Sequence, residues 1–198
     1  GKVSREFTCP VCGKEQTKRG SHRVRSMPVI TNYECTRCKP RRAEHPTTEA
    51  EKERVAEIEE AEIPYWHPTD EFPLGRQTRK IRKGTAGISR VDQMYTKRNL
   101  RALARLWYEI EGAEDQRIRS ALRFAFTAIG LTSTKMYAYR ASRKGGIHKG
   151  TLYVPALNCE LNVGASIDRK VRSICRSLVR IEEDVATVMT ASAVDLGD

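Results

Sequence analysis

No apolar run near the length of about 18 residues that a membrane-spanning helix needs occurs in this 198-residue chain. The opening residues, among them Lys2, Arg5 and Glu6, also lack the apolar core of a secretory signal peptide. Glycine and proline, at 13 and 8 residues, are too few for a collagen-like chain, and 39% hydrophobic residues argue against full disorder. We therefore expect a folded, cytoplasmic protein that makes no membrane contact.

Positive charge is abundant and lies in blocks. Lys and Arg number 36 against 25 Asp and Glu, a net charge of +11, which favours a polyanion such as nucleic acid as partner. Residues 1–43 carry 11 bases and 3 acids, residues 44–62 carry 8 acids and 2 bases, and residues 76–105 carry 10 bases and 1 acid. The charge is therefore arranged in a basic, an acidic and a second basic block rather than spread evenly along the chain.

Four of the six cysteines form two Cys-x-x-Cys pairs, Cys9 with Cys12 and Cys35 with Cys38, separated by 22 residues. Without a secretory signal, this spacing predicts a zinc site rather than disulfides. Four thiolates around zinc leave no open coordination position, so the role would be structural. In a module of about 40 residues with little core, the metal would supply most of the folding free energy.

A pair of redox thiols, or a site that has lost its metal, is the alternative for these cysteines. His22 and His45 could replace a thiolate, although a histidine near four complete ligands is more often a bystander. Cys159 and Cys175 lie far from the pairs, and we expect both to be buried thiols.

Short strands are expected around the cysteine pairs, where Val29, Ile30 and Tyr33 lie between turn-forming residues. A capping box of Thr48 and Glu51 predicts a helix to about residue 62, with so few apolar positions that it is a solvated helix or a spacer. Prolines and glycines predict an irregular segment over residues 63–89.

Helical periodicity returns after Thr96, a plausible N-cap, and Gly112 ends that helix. A second helix carries Ile118, Ala121, Leu122, Ala125 and Ile129, and a last one carries Ile167, Val171, Ile174, Leu178 and Ile181. Residues 152–154 and 185–189 are predicted strands. The expected fold class is α+β: a zinc ribbon over residues 1–43, an acidic helix or spacer over 44–62, and a mostly helical region with a few short strands over 63–198.

Several blocks of the chain resemble a known family. Residues 63–70 read IPYWHPTD and residues 72–75 read FPLG, and the later blocks 87–89, 94–100, 102–103, 106–107, 132–136, 139–140 and 150–155 follow. In this order they are similar to segments of bacterial and archaeal DNA methyltransferases that modify amino groups of adenine or cytosine. Upstream cysteine knuckles also fit that group, so the resemblance covers roughly residues 5–196.

That family binds S-adenosylmethionine at a Gly-rich turn and holds the target amino group at an Asp/Asn/Ser-Pro-Pro-aromatic motif. Neither motif occurs here; Pro64-Tyr65 lacks the second proline and the acceptor. The resemblance implies that the Gly-rich motif would precede Gly1 and the other would follow Asp198. We therefore expect a segment inserted between the catalytic motifs, without catalytic or cofactor-binding residues and inactive alone, whose parent uses S-adenosylmethionine to methylate adenine N6 or cytosine N4.

Such an insert would engage double-stranded DNA beside the remaining catalytic domain of the parent chain. Candidate phosphate contacts are the basic side chains of Arg76, Arg79, Lys80, Arg82 and Lys83, with Lys97 and Arg98 at a helix start. A second basic stretch is interleaved with aromatics that could stack on a displaced base: Lys135, Tyr137, Tyr139, Arg140 and Arg143. The competing interpretations are that each Lys or Arg side chain is simply solvated surface and that the tyrosines pack at the edge of the core.

Two further hypotheses remain open. The insert could be a structural clamp that packs the two halves of the enzyme together, with the acidic helix as a spacer. Alternatively, the chain could be an unrelated zinc-ribbon protein that binds RNA or a transcription complex. Trp66 and Trp107 are assigned to the core in every case.

Overall fold

Helices and two small antiparallel sheets make up the fold, in agreement with the α+β class. The computed structural model describes residues 6–9, 11–17, 26–39, 41–83, 87–140, 145–148 and 150–183, without the side chains of residues 80, 83 and 178–183. Within them the elements are β1 (Glu6–Thr8), β2 (Glu15–Thr17), β3 (Ile30–Glu34), β4 (Arg42–Pro46), α1 (Glu49–Glu60), α2 (Arg76–Lys83), α3 (Lys97–Glu111), α4 (Gln116–Gly130) and α5 (Val163–Glu183), with a short 3-10 helix at Asp92–Met94.

Each cysteine pair lies in the turn of a two-stranded hairpin. β1 pairs antiparallel with β2, so that Phe7 faces Gln16, and β3 pairs with β4, so that Asn32 faces Glu44. The short strands predicted around the cysteine pairs are thus confirmed. Their assembly into one zinc ribbon stays a prediction.

The acidic helix α1 begins as the sequence indicates. The Thr48 hydroxyl accepts a hydrogen bond from the Glu51 amide at 3.3 Å, and the Glu51 carboxylate accepts one from the Thr48 amide at 2.8 Å. This capping box satisfies two free backbone donors. The helix ends two residues before the predicted end, where Ala61 turns extended ahead of Pro64. None of its side chains is buried.

The prediction of an irregular segment over residues 63–89 is wrong for α2. Five of the eight residues of this helix are bases, and like charges three and four residues apart oppose a helix. Tertiary contacts outweigh that repulsion, because Ile81 is buried in the core with Met94, Met136 and Val154. Local propensity alone could not reveal this helix.

The three long helices form where the sequence predicts them. Thr96 caps α3 by accepting from the Asn99 amide, and α3 ends at Gly112. Asp115 caps α4 by accepting from the amides of Arg117 and Ile118. In α5 the predicted stripe residues Ile167, Val171 and Ile174 are half-buried, and the side chains of Leu178 and Ile181 lie outside the described part. The starts of α3 and α4 are therefore encoded within four residues of local sequence.

The predicted strand at residues 152–154 does not form. Among the described residues these three pair with no strand; instead Ala138 makes isolated antiparallel bridges to Gly146 and to Asn158. Val154 is buried in the core, which accounts for the apolar pattern without a strand. The strand predicted at residues 185–189 lies outside the described residues.

Two apolar clusters form the core. The first contains Ile81, Ile88, Met94, Met136 and Val154, so it joins α2 to the chain after α4. The second joins α3, α4 and α5 through Leu103, Ile129 and Val163. Tyr95 packs against both clusters.

The two tryptophans differ in burial. Trp107 is half-buried and its ring centroid lies 5.2 Å from that of Phe126. Trp66 is 69% exposed, so its assignment to the core is wrong. Among the described residues, no helix combines the length and apolar character needed to cross a membrane.

Candidate metal centre and nucleic-acid interface

The first cysteine knuckle closes the β1–β2 hairpin. The Cys9 amide donates to the Lys14 carbonyl and the Gly13 amide donates to the Cys9 carbonyl, both at 2.9 Å. Gly13 has φ +70°, a left-handed conformation that side chains disfavour, so glycine suits this turn. The amides of Cys12 and Val11 and the Cys12 thiol lower the pKa of Cys9 by hydrogen bonding to its sulfur.

The second knuckle closes the β3–β4 hairpin, where the Cys35 amide donates to the Arg41 carbonyl at 2.7 Å. The Cys38 thiol and the amides of Arg37 and Cys38 lower the pKa of Cys35. The same sulfur–sulfur hydrogen bond raises the pKa of Cys38. Each knuckle therefore holds two sulfurs side by side and favours a thiolate on the first.

A thiolate is the form of cysteine that binds metal, and paired sulfurs with amide donors suit half of a tetrahedral zinc site. Within the described part of the chain, however, no three Cys, His, Asp or Glu side chains converge to hold a metal. The structure thus presents two separate half-sites, and the four-cysteine zinc site formed by Cys9, Cys12, Cys35 and Cys38 stays a prediction. His45 contacts the Tyr33 ring and Glu51, and His22 lies outside the described residues.

The two remaining cysteines differ from each other. Cys159 is half-buried, and burial raises the pKa of its thiol. Cys175 is exposed, so the expectation that it is buried is wrong. It follows Ile174 directly in α5, and one residue step turns a helix by about 100°, which places Cys175 off the packed stripe.

Two of the predicted phosphate contacts on α2 are free in the structure. Arg76 and Arg79 are exposed, and in the described residues no carboxylate forms an ion pair with either. Arg82 is different: its Nη2 donates to the Phe72 carbonyl at 2.5 Å and approaches Glu71 at 3.3 Å. The side chains of Lys80 and Lys83 lie outside the described part of the structure.

The bases at the start of α3 and after α4 make internal contacts. The Lys97 ammonium donates to the Glu59 carbonyl at 2.6 Å, which ties α3 to α1. Arg98 binds both carboxylate oxygens of Glu160, at 2.9 and 2.5 Å, and this pairing raises the pKa of Arg98. Lys135 donates to the Gln93 carbonyl at 3.1 Å. These three side chains therefore stabilise the fold in the structure as described.

Replacing Arg98 with Ala should lower the free energy of unfolding by about 2–3 kcal/mol, less than for a fully buried pair, because Glu160, which is 23% exposed in the pair, would lose its partner. Urea denaturation followed by circular dichroism measures this change. Arg101→Ala, an exposed neighbour on the same helix, is the control and should change stability by less than about 0.5 kcal/mol. Equal effects of the two variants would show that the pair contributes nothing specific.

The second basic stretch divides in the same way. Tyr137 is half-buried beside Gly145, where an added Cβ would lie 2.5 Å from the Tyr137 ring. Tyr139 and Arg140 are exposed, and the Tyr139 amide donates to the Leu157 carbonyl at 3.0 Å. Arg143 lies outside the described residues. Tyr139 and Arg140 are therefore the described pair available to a partner here.

The first core cluster brings the available groups into one part of the fold. Ile81 of α2 and Met136 of the second basic stretch both pack in that cluster. Arg76 and Arg79 precede Ile81 on its helix, and Tyr139 and Arg140 follow Met136 by a few residues. The two exposed arginines of α2 and the exposed pair Tyr139 and Arg140, about 60 residues apart in sequence, thus lie on segments that both pack in the first core cluster.

Sequence reasoning missed an aromatic–arginine cluster and an exposed phenylalanine. The Arg105 guanidinium lies 5.2 Å from the Tyr65 ring centroid and 6.0 Å from that of Tyr108. Phe124 on α4 is 69% exposed. No sequence signal identified Phe124, because Phe126 also lies outside the apolar stripe predicted for α4 and yet packs against Trp107.

Neither a protein-family model, nor a curated protein, nor a solved structure matches this chain.

Proposed function

We propose that this chain is the DNA-engaging segment of an S-adenosylmethionine-dependent DNA amino-methyltransferase that modifies adenine N6 or cytosine N4. The resemblance of its blocks to that family motivates the proposal. The observation that carries the DNA part is the exposure of Arg76 and Arg79 on α2, with no ion pair to a carboxylate within the described residues. Phosphates would supply the missing negative charge.

The mechanism assigned to this segment is strand gripping rather than chemistry. A methyltransferase that acts on a base amino group must take the base out of the stack, and the duplex must be held while this happens. Arg76 and Arg79 would neutralise phosphates and release counterions. Exposed Tyr139 and Arg140, which the same core cluster supports, would contact the strand nearby.

Zinc is proposed as a structural cofactor of the same segment. The supporting observations are the four-cysteine donor set and the amide hydrogen bonds that favour thiolates at Cys9 and Cys35. Cys9, Cys12, Cys35 and Cys38 would hold the ion, which would join the two hairpins. S-adenosylmethionine would bind only the catalytic part of the parent enzyme.

Duplex binding should be salt-dependent and should require Arg76 and Arg79. Fluorescence anisotropy of a labelled duplex, titrated from about 50 to about 200 mM salt, measures this dependence. The double variant Arg76→Gln/Arg79→Gln should reduce the slope of log K against log salt by about 1.8, since each phosphate contact contributes about 0.9. Arg117→Gln, an exposed base on α4, is the matched control.

Absence of duplex binding at low salt, or equal binding by the double variant and the control, would contradict the DNA proposal. The structural clamp would then be preferred. Its specific support is Trp66, 69% exposed beside Tyr65 and its Arg105 contact, which is the kind of aromatic and arginine surface that packs against another protein surface.

A further inference from the structure

A groove of about 310 Å³ runs between α4 and α5. Ala128 on α4 and Ser173 and Ser177 on α5 are small, so the two helices leave space between them, and Ile174 lines the groove as an apolar surface. Phe124 and Lys170 also line it. A groove of this size is at the lower end of ligand sites, which makes it suitable for one planar ring rather than for a long peptide.

Phe124 is an aromatic ring left in water at this groove. It is 69% exposed, whereas the adjacent Ala125 and the nearby Ile129 are buried at 0% and 2%. Phe126, two residues on, packs against Trp107 inside the protein. The α4 helix therefore has its core contacts without Phe124, and the free ring face is a stacking surface for a planar group.

The cation that lines the groove is Lys170. Lys170 forms no ion pair within the described residues, and Arg169 and Arg176 are exposed on the same helix. Among the described side chains of α5 the only acid is Asp168, which is paired with Arg172 at 2.9 Å. Anions are thus favoured along α5, and a basic partner is disfavoured.

Hydroxyl groups complete the site. Ser177 donates to the Ser173 carbonyl at 3.0 Å, which leaves its oxygen lone pairs able to accept a hydrogen bond. The exposed Ser173 hydroxyl can both donate and accept. Such groups tolerate different base edges, as expected of a contact that does not select one base.

We propose that this groove holds one unstacked base of single-stranded DNA, with the base against Phe124 and an adjacent phosphate at Lys170. Aromatic stacking together with a cation that follows the backbone is the usual chemistry of single-strand binding. The inference rests on the proposed function only in that an enzyme that opens a duplex produces such a strand. It replaces Tyr137, which is half-buried, with Phe124 as a stacking residue.

Anisotropy titration of the full chain with a labelled oligothymidylate of about 12 nucleotides tests the site. Phe124→Ala should weaken binding about tenfold at every salt concentration and leave the salt slope unchanged, because stacking involves no counterion. Lys170→Gln should instead reduce the slope by about 0.7, the contribution of one phosphate on a single strand. Phe124→Tyr should restore binding, since it keeps the ring.

Matched controls are available on α4 and at the residue that follows it. Ile118→Ala and Leu131→Ala remove apolar side chains that are each 57% exposed and do not line the groove, and Arg117→Gln removes an exposed charge. None of these should change oligothymidylate binding by more than twofold. Circular dichroism melting of each variant verifies that the fold is retained.

Three outcomes would overturn the inference: no binding of oligothymidylate, equal binding by Phe124→Ala and Leu131→Ala, or loss of a dimer in Phe124→Ala with oligonucleotide affinity unchanged. The last would assign the groove to a second copy of this chain. Duplex titrations of the Arg76→Gln/Arg79→Gln variant separate this inference from the proposed function. If Phe124→Ala weakens oligothymidylate binding but the chain binds no duplex, the groove proposal is retained and the duplex proposal is rejected. If the chain binds duplex through Arg76 and Arg79 but Phe124→Ala leaves oligothymidylate binding unchanged, only the groove proposal is rejected.

Discussion

Removal of zinc from the metal-loaded chain should unfold the first hairpin and leave the helices α3, α4 and α5 folded. β1 and β2 have three residues each, and a two-stranded hairpin is at best marginally stable in water. Within the described residues, β1 and β2 make no substantial packing contact with any element other than each other. The metal, worth about 10–16 kcal/mol in zinc-finger peptides, would therefore be the main source of stability there.

The second hairpin should lose less structure than the first. The Thr47 amide donates to the Val29 carbonyl at 3.1 Å, and the hydroxyls of Thr31 and Thr47 lie 3.3 Å apart. His45 lies 3.5 Å from Glu51 of α1. These contacts join β3 and β4 to the capped start of α1, so part of their pairing should persist without metal.

Amide chemical shifts before and after chelation measure the effect. Cys9→Ser should reproduce the chelated spectrum in the presence of zinc, and Cys175→Ser, an exposed cysteine outside the knuckles, is the control. Knuckle resonances that survive chelation would contradict a structural metal. Loss of the helical resonances as well would show that the knuckles and helices fold as one unit.

Replacing Ile129 with Ala should lower the free energy of unfolding of the helical region by about 4 kcal/mol. Ile129 is 2% exposed and packs with Leu103 of α3 and Val163 of α5, so its truncation removes contacts with both neighbouring helices and leaves a cavity. Ile118→Ala on the same helix removes a side chain that is 57% exposed. The control should change stability by no more than about 0.5 kcal/mol.

Urea titration at saturating zinc, followed by tryptophan fluorescence, measures both variants. Trp107 packs against Phe126 on α4 and reports on this region, whereas the exposed Trp66 responds little to unfolding. The midpoint for Ile129→Ala should fall with an unchanged slope m. Similar midpoints for Ile129→Ala and Ile118→Ala would mean that α4 does not anchor the second core cluster.

Helix starts were predictable because their chemistry is local. Thr48 with Glu51 for α1, and Thr96 for α3, place an acceptor within three residues of the amides that it satisfies. The α2 helix was not predictable in this way, since five bases in eight residues oppose it and its burial of Ile81 depends on residues distant in sequence.

The sequence predicted which residue types make up the candidate site. It could not predict which of their side chains are exposed and free to bind a partner. The cysteine spacing and the basic blocks identify thiolates and cations without reference to a fold. Which cations remain free depends on their neighbours: Arg98 meets Glu160, 62 residues away, while Arg76 meets no carboxylate in the described residues. Burial of Tyr137 beside Gly145 is likewise a tertiary result.

The caps of α1 and α3, the two cysteine turns and the excess of positive charge were therefore predictable, because each depends on residues within one or two helical turns or on composition. The fold was needed to show that Arg82, Lys97, Arg98 and Lys135 make internal contacts and that Trp66 and Phe124 are exposed. Periodicity predicts that a helix has an apolar face, but the packing of α3, α4 and α5 determines which apolar residues that face leaves in water.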